Sequence, residues 1–433
     1  MVKKNLLVGT LDSKGQEVAY LRQRVEERGW GVTTLDVGTL GNPTCPADIS
    51  QHEVAKAGGG DFSQMKSKGD RSYSVEIMTR GAIKKTLELY SRGELAGVLA
   101  IGGGTGTAIG TAIMRSLPLG MPKVMVSTVA SRDVSHYVGT RDITMLHSVV
   151  DLVGLNPITR VILDNAAGAV VGMAEVAAEI KSTQPLVAAT SFGISPISAE
   201  LARPLLEEKG YEMVTFHANG MGGRALEELI DQRLFAGVLD FVTHELADQL
   251  YNGYCGNIGA DRLATAAKRG VPIVVAPGGL DCIVFNSIED VPDKLKSRQV
   301  HLHDIRVAIR TSREELERIA TTMAQRLANP NGPVGILIPL RGWSEVDKEG
   351  GDLFEPGIDY FLVDTLKRLL PAEVSLKEVE CHISDPKFAQ LAVEWLDEMI
   401  CSHWTQLNGI AGIRTNPEKA YYDREQEEAK HFQ

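Results

Sequence analysis

Residues 97–117 read GVLAIGGGTGTAIGTAIMRSL, an apolar run followed by a glycine-rich turn and a helical pattern. The run from Val98 to Ile101 is typical of a strand that is buried on both faces of a parallel sheet. Glycine has no Cβ atom, so the glycines allow a tight turn here. Thr107 is predicted to cap the helix that follows. The turn consists of Gly102, Gly103, Gly104, Thr105, Gly106 and Thr107.

This turn is predicted to bind an anion, because unpaired N–H groups and the positive end of a helix dipole meet at a helix start. A phosphate or a carboxylate fits that chemistry. The turn has neither the dinucleotide-binding spacing after the first strand nor a lysine directly after its glycines, since the next lysine is Lys123. A plain strand-to-helix turn is therefore the alternative interpretation.

The composition indicates a globular protein with more than one domain. The chain has 433 residues, of which 43% are hydrophobic and 23% charged. Its net charge of −11 argues against binding to nucleic acid or to an acidic membrane. Five scattered cysteines without a C-x-x-C pair predict reduced thiols and a cytoplasmic location. We expect neither a signal peptide nor a membrane span.

Strand and helix patterns alternate along the chain and predict an α/β fold with two Rossmann-like domains, each with a mostly parallel sheet flanked by helices. The predicted domains are 1–183 and 184–415, followed by a charged mobile tail, 416–433. A helix is predicted to begin at Ser13, and another over Ile143–Val153. The section Gly38–Arg71 is interpreted as a binding lid or a poorly ordered loop that carries one short helix near Ile49–Ala57.

Two further polar loops follow predicted strands and should lie at the same sheet edge as the glycine turn, because parallel strands end together. The first loop offers Thr10, Asp12, Ser13 and Lys14, with Lys14 as a phosphate partner. The alternative for Asp12 and Ser13 is helix capping alone. The other loop offers Ser127, Thr128 and Arg132, where Arg132 is either an anion-binding cation or a plain surface residue.

Polar residues also follow the strands of the second domain. The catalytic candidates are His217, Arg224, Asp281 and His303. No H-E-x-x-H or comparable ligand spacing is present, so hydrogen-bonding histidines are expected there and no metal site is predicted. The run Asn165–Ala169 is rich in small residues and is predicted to form a domain or subunit contact.

Five segments together resemble the Tm-one-like ATP-binding domain family, which has bacterial, fungal and plant members. They are residues 9–22 (GTLDSKGQEVAYLR), residues 101–139 from IGGGTGTAIG to VSHYVG, residues 216–230 (FHANGMGGRALEELI), residues 276–281 (APGGLD) and residues 310–315 (RTSREE). The resemblance implies two Rossmann-like domains, ATP bound at the first with or without magnesium, and a homodimer. The chain departs from the family pattern at Arg132, His136 and His244.

Three functions are open at this stage. The leading hypothesis is a cytoplasmic ATP-binding protein whose nucleotide phosphates lie on the glycine turn. The second is a metabolic enzyme that acts on a small molecule between the domains. The third is an interaction protein in which ATP orders Gly38–Arg71 and exposes a partner surface without turnover.

Overall fold

A computed structural model describes residues 3–39, 41–176, 182–193 and 197–408. The chain divides into two compact units, Met1–Ile180 and Lys181–Gln433. Each unit contains a parallel main sheet flanked by helices, so the predicted α/β fold class is confirmed. The predicted tail, 416–433, lies outside the described residues. None of the helices within the described ranges is long and apolar enough to cross a membrane.

The first unit is built around a five-stranded sheet in the order β2-β1-β3-β4-β5, in which every pair of neighbours is parallel. Its elements are β1 (Lys4–Gly9), α1 (Leu11–Glu26), β2 (Gly31–Asp36), α2 (Gln51–Ala57), α3 (Phe62–Lys68), α4 (Arg71–Ser91), β3 (Leu95–Gly102), α5 (Gly104–Arg115), β4 (Lys123–Ser127), α6 (Ser135–Val138), β5 (Thr144–His147) and α7 (Pro157–Val176). The strand order reverses between β1 and β3. In open α/β sheets, the crevice at such a reversal is where ligands bind.

The central strand β3 is buried over its whole length, as its apolar run predicts. Val98 and Ala100 pack in one core cluster with Ile109 of α5. Leu99 and Ile101 pack in another, which includes residues of α1 and α7. The alternation of side chains along a strand therefore fixes helices on both faces of the sheet.

Three local predictions for this unit need correction. Ile143–Val153 is not a helix: the edge strand β5 begins there, and its half-exposed pattern hides the strand signal. The section before Arg71 contains the predicted short helix, as α2, and also a second helix, α3. Helix α1 begins at Leu11, before the predicted start at Ser13, where the buried Asp36 Oδ1 accepts from the Leu11 N–H at 3.1 Å, and it is kinked at the non-helical Lys14.

The second unit has a six-stranded parallel sheet in the order β14-β13-β9-β8-β6-β7, which reverses between β6 and β8. Its elements are β6 (Leu186–Ser191), α8 (Ser198–Glu208), β7 (Glu212–His217), α9 (Met221–Asp231), β8 (Gly237–Val242), α10 (Glu245–Gln249), α11 (Ala264–Arg269), β9 (Ile273–Gly278), β10 (Cys282–Phe285), β11 (Val300–Leu302), β12 (Val307–Arg310), α12 (Arg313–Arg326), β13 (Val334–Pro339), α13 (Pro356–Leu369), β14 (Val374–Val379) and α14 (Pro386–Asn408). A small antiparallel sheet, β10-β12-β11, is also present and was not predicted from the sequence.

Candidate functional site

The three polar loops of the first unit meet at one edge of its sheet. Strands β1, β3 and β4 are parallel neighbours, so the chain leaves all three at the same edge, next to the reversal in strand order. The loops after β3 and β4 are joined directly: the Thr128 N–H donates to the Gly102 carbonyl at 3.2 Å. The hydroxyl oxygens of Thr107 and Ser127 lie 2.7 Å apart.

The glycine turn leaves the start of α5 without a side-chain cap. The N-cap residue is Gly103, which has no side chain, and no side chain caps this helix among the described residues. The prediction that Thr107 is the cap is wrong, because Thr107 lies in the first turn and its buried hydroxyl bonds to Ser127 instead. By helix geometry, the N–H groups of Gly104, Thr105 and Gly106 have no partner inside the helix.

The space beside this helix start is open. A Cβ added at Gly104 would meet nothing within 4 Å, and one added at Gly103 would meet only Thr128 Oγ1, at 3.6 Å. Gly102 differs, since a Cβ there would lie 2.6 Å from the Gly106 Cα. Gly102 therefore allows close packing, whereas Gly103 and Gly104 border a surface that a ligand can approach.

Arg71 extends over the same turn and was not predicted to belong to the site. It is the first residue of α4, whose start is fixed by Asp70 accepting from the Tyr73 N–H at 3.0 Å. The exposed Arg71 guanidinium donates through Nη2 to Thr105 Oγ1 at 2.9 Å. A cation at a helix start opposes the helix dipole. A basic residue at the first position of a helix is therefore the feature of the sequence that identifies Arg71 as a candidate ligand-binding residue.

Two of the predicted binding residues in the loop after β1 form hydrogen bonds with other parts of the protein. The Lys14 ammonium donates to the Leu152 carbonyl, so it does not point freely to the sheet edge. Asp12 Oδ2 accepts from the Gly41 N–H at 2.9 Å and thereby ties this loop to the section that follows β2. Thr10 and Ser13 remain as an exposed pair of hydroxyl groups whose oxygens are 2.9 Å apart.

Asp36 is a buried carboxyl group just below this edge. Its Oδ1 accepts from the N–H groups of Leu11 and Gly38, at 3.1 and 2.8 Å. Burial raises the pKa of Asp36, although these two hydrogen bonds act in the opposite direction. Oδ2 has no hydrogen-bond partner among the described residues. Asp36 therefore fixes where α1 begins, a role that the sequence did not reveal.

The loop after β4 presents a second cation. Arg132 is exposed, and its side chain has no hydrogen bond or ion pair within the part of the chain that the structure describes. Beside it, Asp133 accepts from the Ser135 N–H at 2.9 Å, and this hydrogen bond lowers the pKa of Asp133. Arg71, at the start of α4, and Arg132, in the loop after β4, are thus two exposed guanidinium groups at the sheet edge where the uncapped helix begins.

The catalytic candidates of the second unit make no direct polar contact with one another among the described residues. His217 ends β7, and its ring centroid is 5.3 Å from that of Phe192. His303 and Phe192 line the same small pocket. Asp281 is buried and accepts from Ser344 Oγ at 2.8 Å, and Arg224 lies on α9. Among the described residues, no hydrogen bond or ion pair joins Asp281 or Arg224 to either histidine.

Comparisons with known proteins identify relatives that cover about 90% of the chain. The N-terminal domain model of the uncharacterised protein family UPF0261 matches residues 3–179, and the C-terminal domain model matches residues 184–400. A UPF0261 protein of Clostridium tetani is 39% identical over 90% of this chain and 97% of its own length. A UPF0261 protein of Rhizobium meliloti, RA0729, is also 39% identical, over 90% of this chain and 98% of its own. The ToMV resistance protein Tm-1(GCR237) of Solanum lycopersicum is 31% identical over 89% of this chain but only 54% of its own.

Proposed function

We propose that the chain, which belongs to the uncharacterised protein family UPF0261, is a cytoplasmic ATP-binding protein. In this proposal the triphosphate lies across the glycine turn of the first unit, and the exposed Arg71 and Arg132 neutralise part of its charge. The Lys14 ammonium is already held by a backbone carbonyl, so the proposal does not depend on it.

The observation that carries the proposal is the uncapped start of α5 with the Arg71 guanidinium beside it. Three N–H groups and a guanidinium are all donors, and no carboxylate among the described residues is bonded to them. Phosphate oxygens are the acceptors that such a helix start binds. The location agrees with this chemistry, since the turn lies where the strand order reverses.

Two hydroxyl groups near the glycine turn are suitable ligands for a magnesium ion. Mg²⁺ prefers a few protein oxygens combined with phosphate oxygens and water. The exposed hydroxyl pair of Thr10 and Ser13 lies on the loop after β1, which is adjacent to the glycine turn. These hydroxyl groups are the residues that would hold the ion beside a bound triphosphate.

The proposal is tested by Gly103→Val with Gly357→Val as its matched control. Both glycines lie at the start of a helix, and neither has a neighbour closer than 3.6 Å to an added Cβ. Both variants should therefore fold, but only the side chain at position 103 would fill the space beside the turn. We expect calorimetric titration with ATP to show binding for the parent and for Gly357→Val, and loss of binding for Gly103→Val. A folded Gly103→Val variant with the affinity of the parent would refute the proposal.

One observation favours a nucleotide-gated interaction as a second candidate function. Arg71 follows directly on the section that contains α2 and α3, and its side chain contacts the glycine turn. A nucleotide that engages Arg71 would therefore also order the start of α4. The test is amide hydrogen exchange of residues 62–75 with and without ATP, which should slow when ATP is bound; equal exchange would remove this function.

We further propose that the protein is a homodimer and that α7 contributes to the contact. The predicted small-residue contact needs correction in part, because Ala166 and Ala167 are buried in the core of their own unit. The exposed large apolar residues of α7 are Ile158, Val161, Met173 and Val176, which are 51%, 60%, 36% and 74% exposed. Exposed apolar side chains along one helix are typical of an interaction surface.

A further inference from the structure

A buried cluster of an imidazole, a carboxyl group and two thiols lies in the second unit. We call His244, Asp248, Cys255 and Cys282 the thiol–imidazole cluster. His244 and Asp248 are one helical turn apart at α10, Cys255 follows in the next loop, and Cys282 begins β10. All four residues are 0% exposed. None of them was among the catalytic candidates, and no metal site was predicted here.

The His244 ring is oriented so that one nitrogen faces the rest of the cluster. Its Nδ1 lies 2.8 Å from the Gly279 carbonyl oxygen and therefore donates its proton there. Its Nε2 lies 3.3 Å from Asp248 Oδ2 but is not aligned for a hydrogen bond. Burial lowers the pKa of His244, but the Asp248 carboxylate outweighs it, so the pKa lies well above its usual value and the ring is an imidazolium when no cation is bound. Phe192 stacks on the ring, with centroids 5.0 Å apart and planes inclined by 19°, and so holds its plane.

The carboxylate is fixed as firmly as the imidazole. Asp248 Oδ1 accepts from the Val284 N–H and Oδ2 from the Cys255 N–H, each at 2.7 Å. One donor atom from each of His244, Asp248 and Cys255 lies within 4.8 Å of the other two. The Cys282 Sγ lies 3.9 Å from the Gly279 carbonyl oxygen, which also accepts from the His244 Nδ1–H. Cys282 is therefore next to the imidazole but is not one of the three residues that share this spacing.

Nitrogen, oxygen and sulfur donors at this spacing match the ligand preference of zinc. Structural zinc sites are closed and four-coordinate, and a ligating histidine usually donates its other ring N–H to a carbonyl or carboxylate. The metal-free alternative is a buried imidazolium–carboxylate pair beside two neutral thiols. Burial raises the pKa of Cys255 and raises that of Cys282 to about 12, so both thiols keep their protons unless a cation replaces them.

We propose that His244, Asp248 and Cys255 supply three ligands to one Zn²⁺ ion. The ion would be structural, since the cluster is closed to solvent, and it would join α10 to the loop that follows it. As the ion binds, the Cys255 thiol and the His244 imidazolium each release a proton to solvent, so that a thiolate and a neutral imidazole ligate it. This inference concerns the second unit and does not depend on nucleotide binding by the first.

The test is zinc content after loading the full chain with Zn²⁺ and removing the excess by dialysis. We expect one zinc per chain in the parent and in Cys381→Ser, a control that alters a buried thiol outside the cluster. Cys255→Ser should retain almost none. No zinc in the parent, or equal zinc in Cys255→Ser, would overturn the proposal.

A second measurement covers the case in which Cys255→Ser does not fold. Zinc-edge X-ray absorption of the loaded parent should show one sulfur neighbour together with nitrogen and oxygen neighbours. A spectrum without a sulfur neighbour would overturn the site.

Discussion

Replacing Arg71 by glutamine should weaken ATP binding about tenfold while leaving the fold intact. The Arg71 guanidinium donates to Thr105 on the glycine turn at 2.9 Å, but it is exposed to solvent. A hydrogen bond to a charged group contributes roughly 1.5–3 kcal/mol, and exposure favours the lower end of that range. About 1.5 kcal/mol corresponds to about tenfold in Kd. Glutamine keeps the length and a donor but removes the charge.

The assay is calorimetric titration with ATP at two salt concentrations, with Arg80→Gln as the matched control. Arg80 lies on the same helix, its side chain is 56% exposed, and its nearest carboxylate is that of Glu76 at 3.7 Å. Salt screens exposed charges, so the Kd of the parent should rise with salt more steeply than that of Arg71→Gln. Equal affinities for the parent and Arg71→Gln, or an equal loss in Arg80→Gln, would refute the assignment of Arg71 to the phosphates.

Three further predictions concern stability and assembly. Arg262→Met should lower the free energy of unfolding by about 3–5 kcal/mol in urea titrations, because it leaves the buried carboxylates of Asp240 and Glu245 without their cation; a change near zero would contradict this role. Burial raises the pKa of Asp347 from 3.8 to about 8, so its neutral form is favoured in the folded state and stability is lost as pH rises from about 4 to 8. Asp347→Asn should flatten that fall, and an unchanged pH profile would show that another group causes it. Val161→Glu should convert a homodimer into a monomer in light scattering after size exclusion, whereas an unchanged dimer would exclude this part of α7.

Much of the fold could be predicted because β3 and its helix carry strong local patterns. Val98 to Ile101 are apolar without interruption, and the glycines that follow allow a tight connection to α5. The prediction of a helix at β5 is wrong because β5 is a short edge strand with half-exposed residues. Its sequence therefore shows neither alternating apolar and polar residues nor a continuous apolar run. The small sheet β10-β12-β11 depends on pairing between separate segments, and the hydrophobic periodicity of one segment does not indicate its partner.

The candidate sites depend on contacts between distant residues, and these were the hardest to predict. Arg71 and Thr105 are 34 positions apart, and nothing in the local sequence indicates that they touch. Lys14 looks like a phosphate ligand in the sequence, yet a carbonyl 138 positions away holds its ammonium. In the thiol–imidazole cluster only His244 and Asp248 are close in sequence, so no fixed motif reveals the set.

The most direct test of the central claim is phosphorus NMR of Mg-ATP with a stoichiometric amount of the protein, followed over hours. We predict that the three ATP signals shift or broaden with the parent and with Gly357→Val, but not with Gly103→Val. New ADP, AMP or phosphate signals that depend on Gly103 would add turnover to binding. ATP signals that the parent leaves unperturbed would contradict the account, because the helix start of α5 would then not hold a nucleotide phosphate.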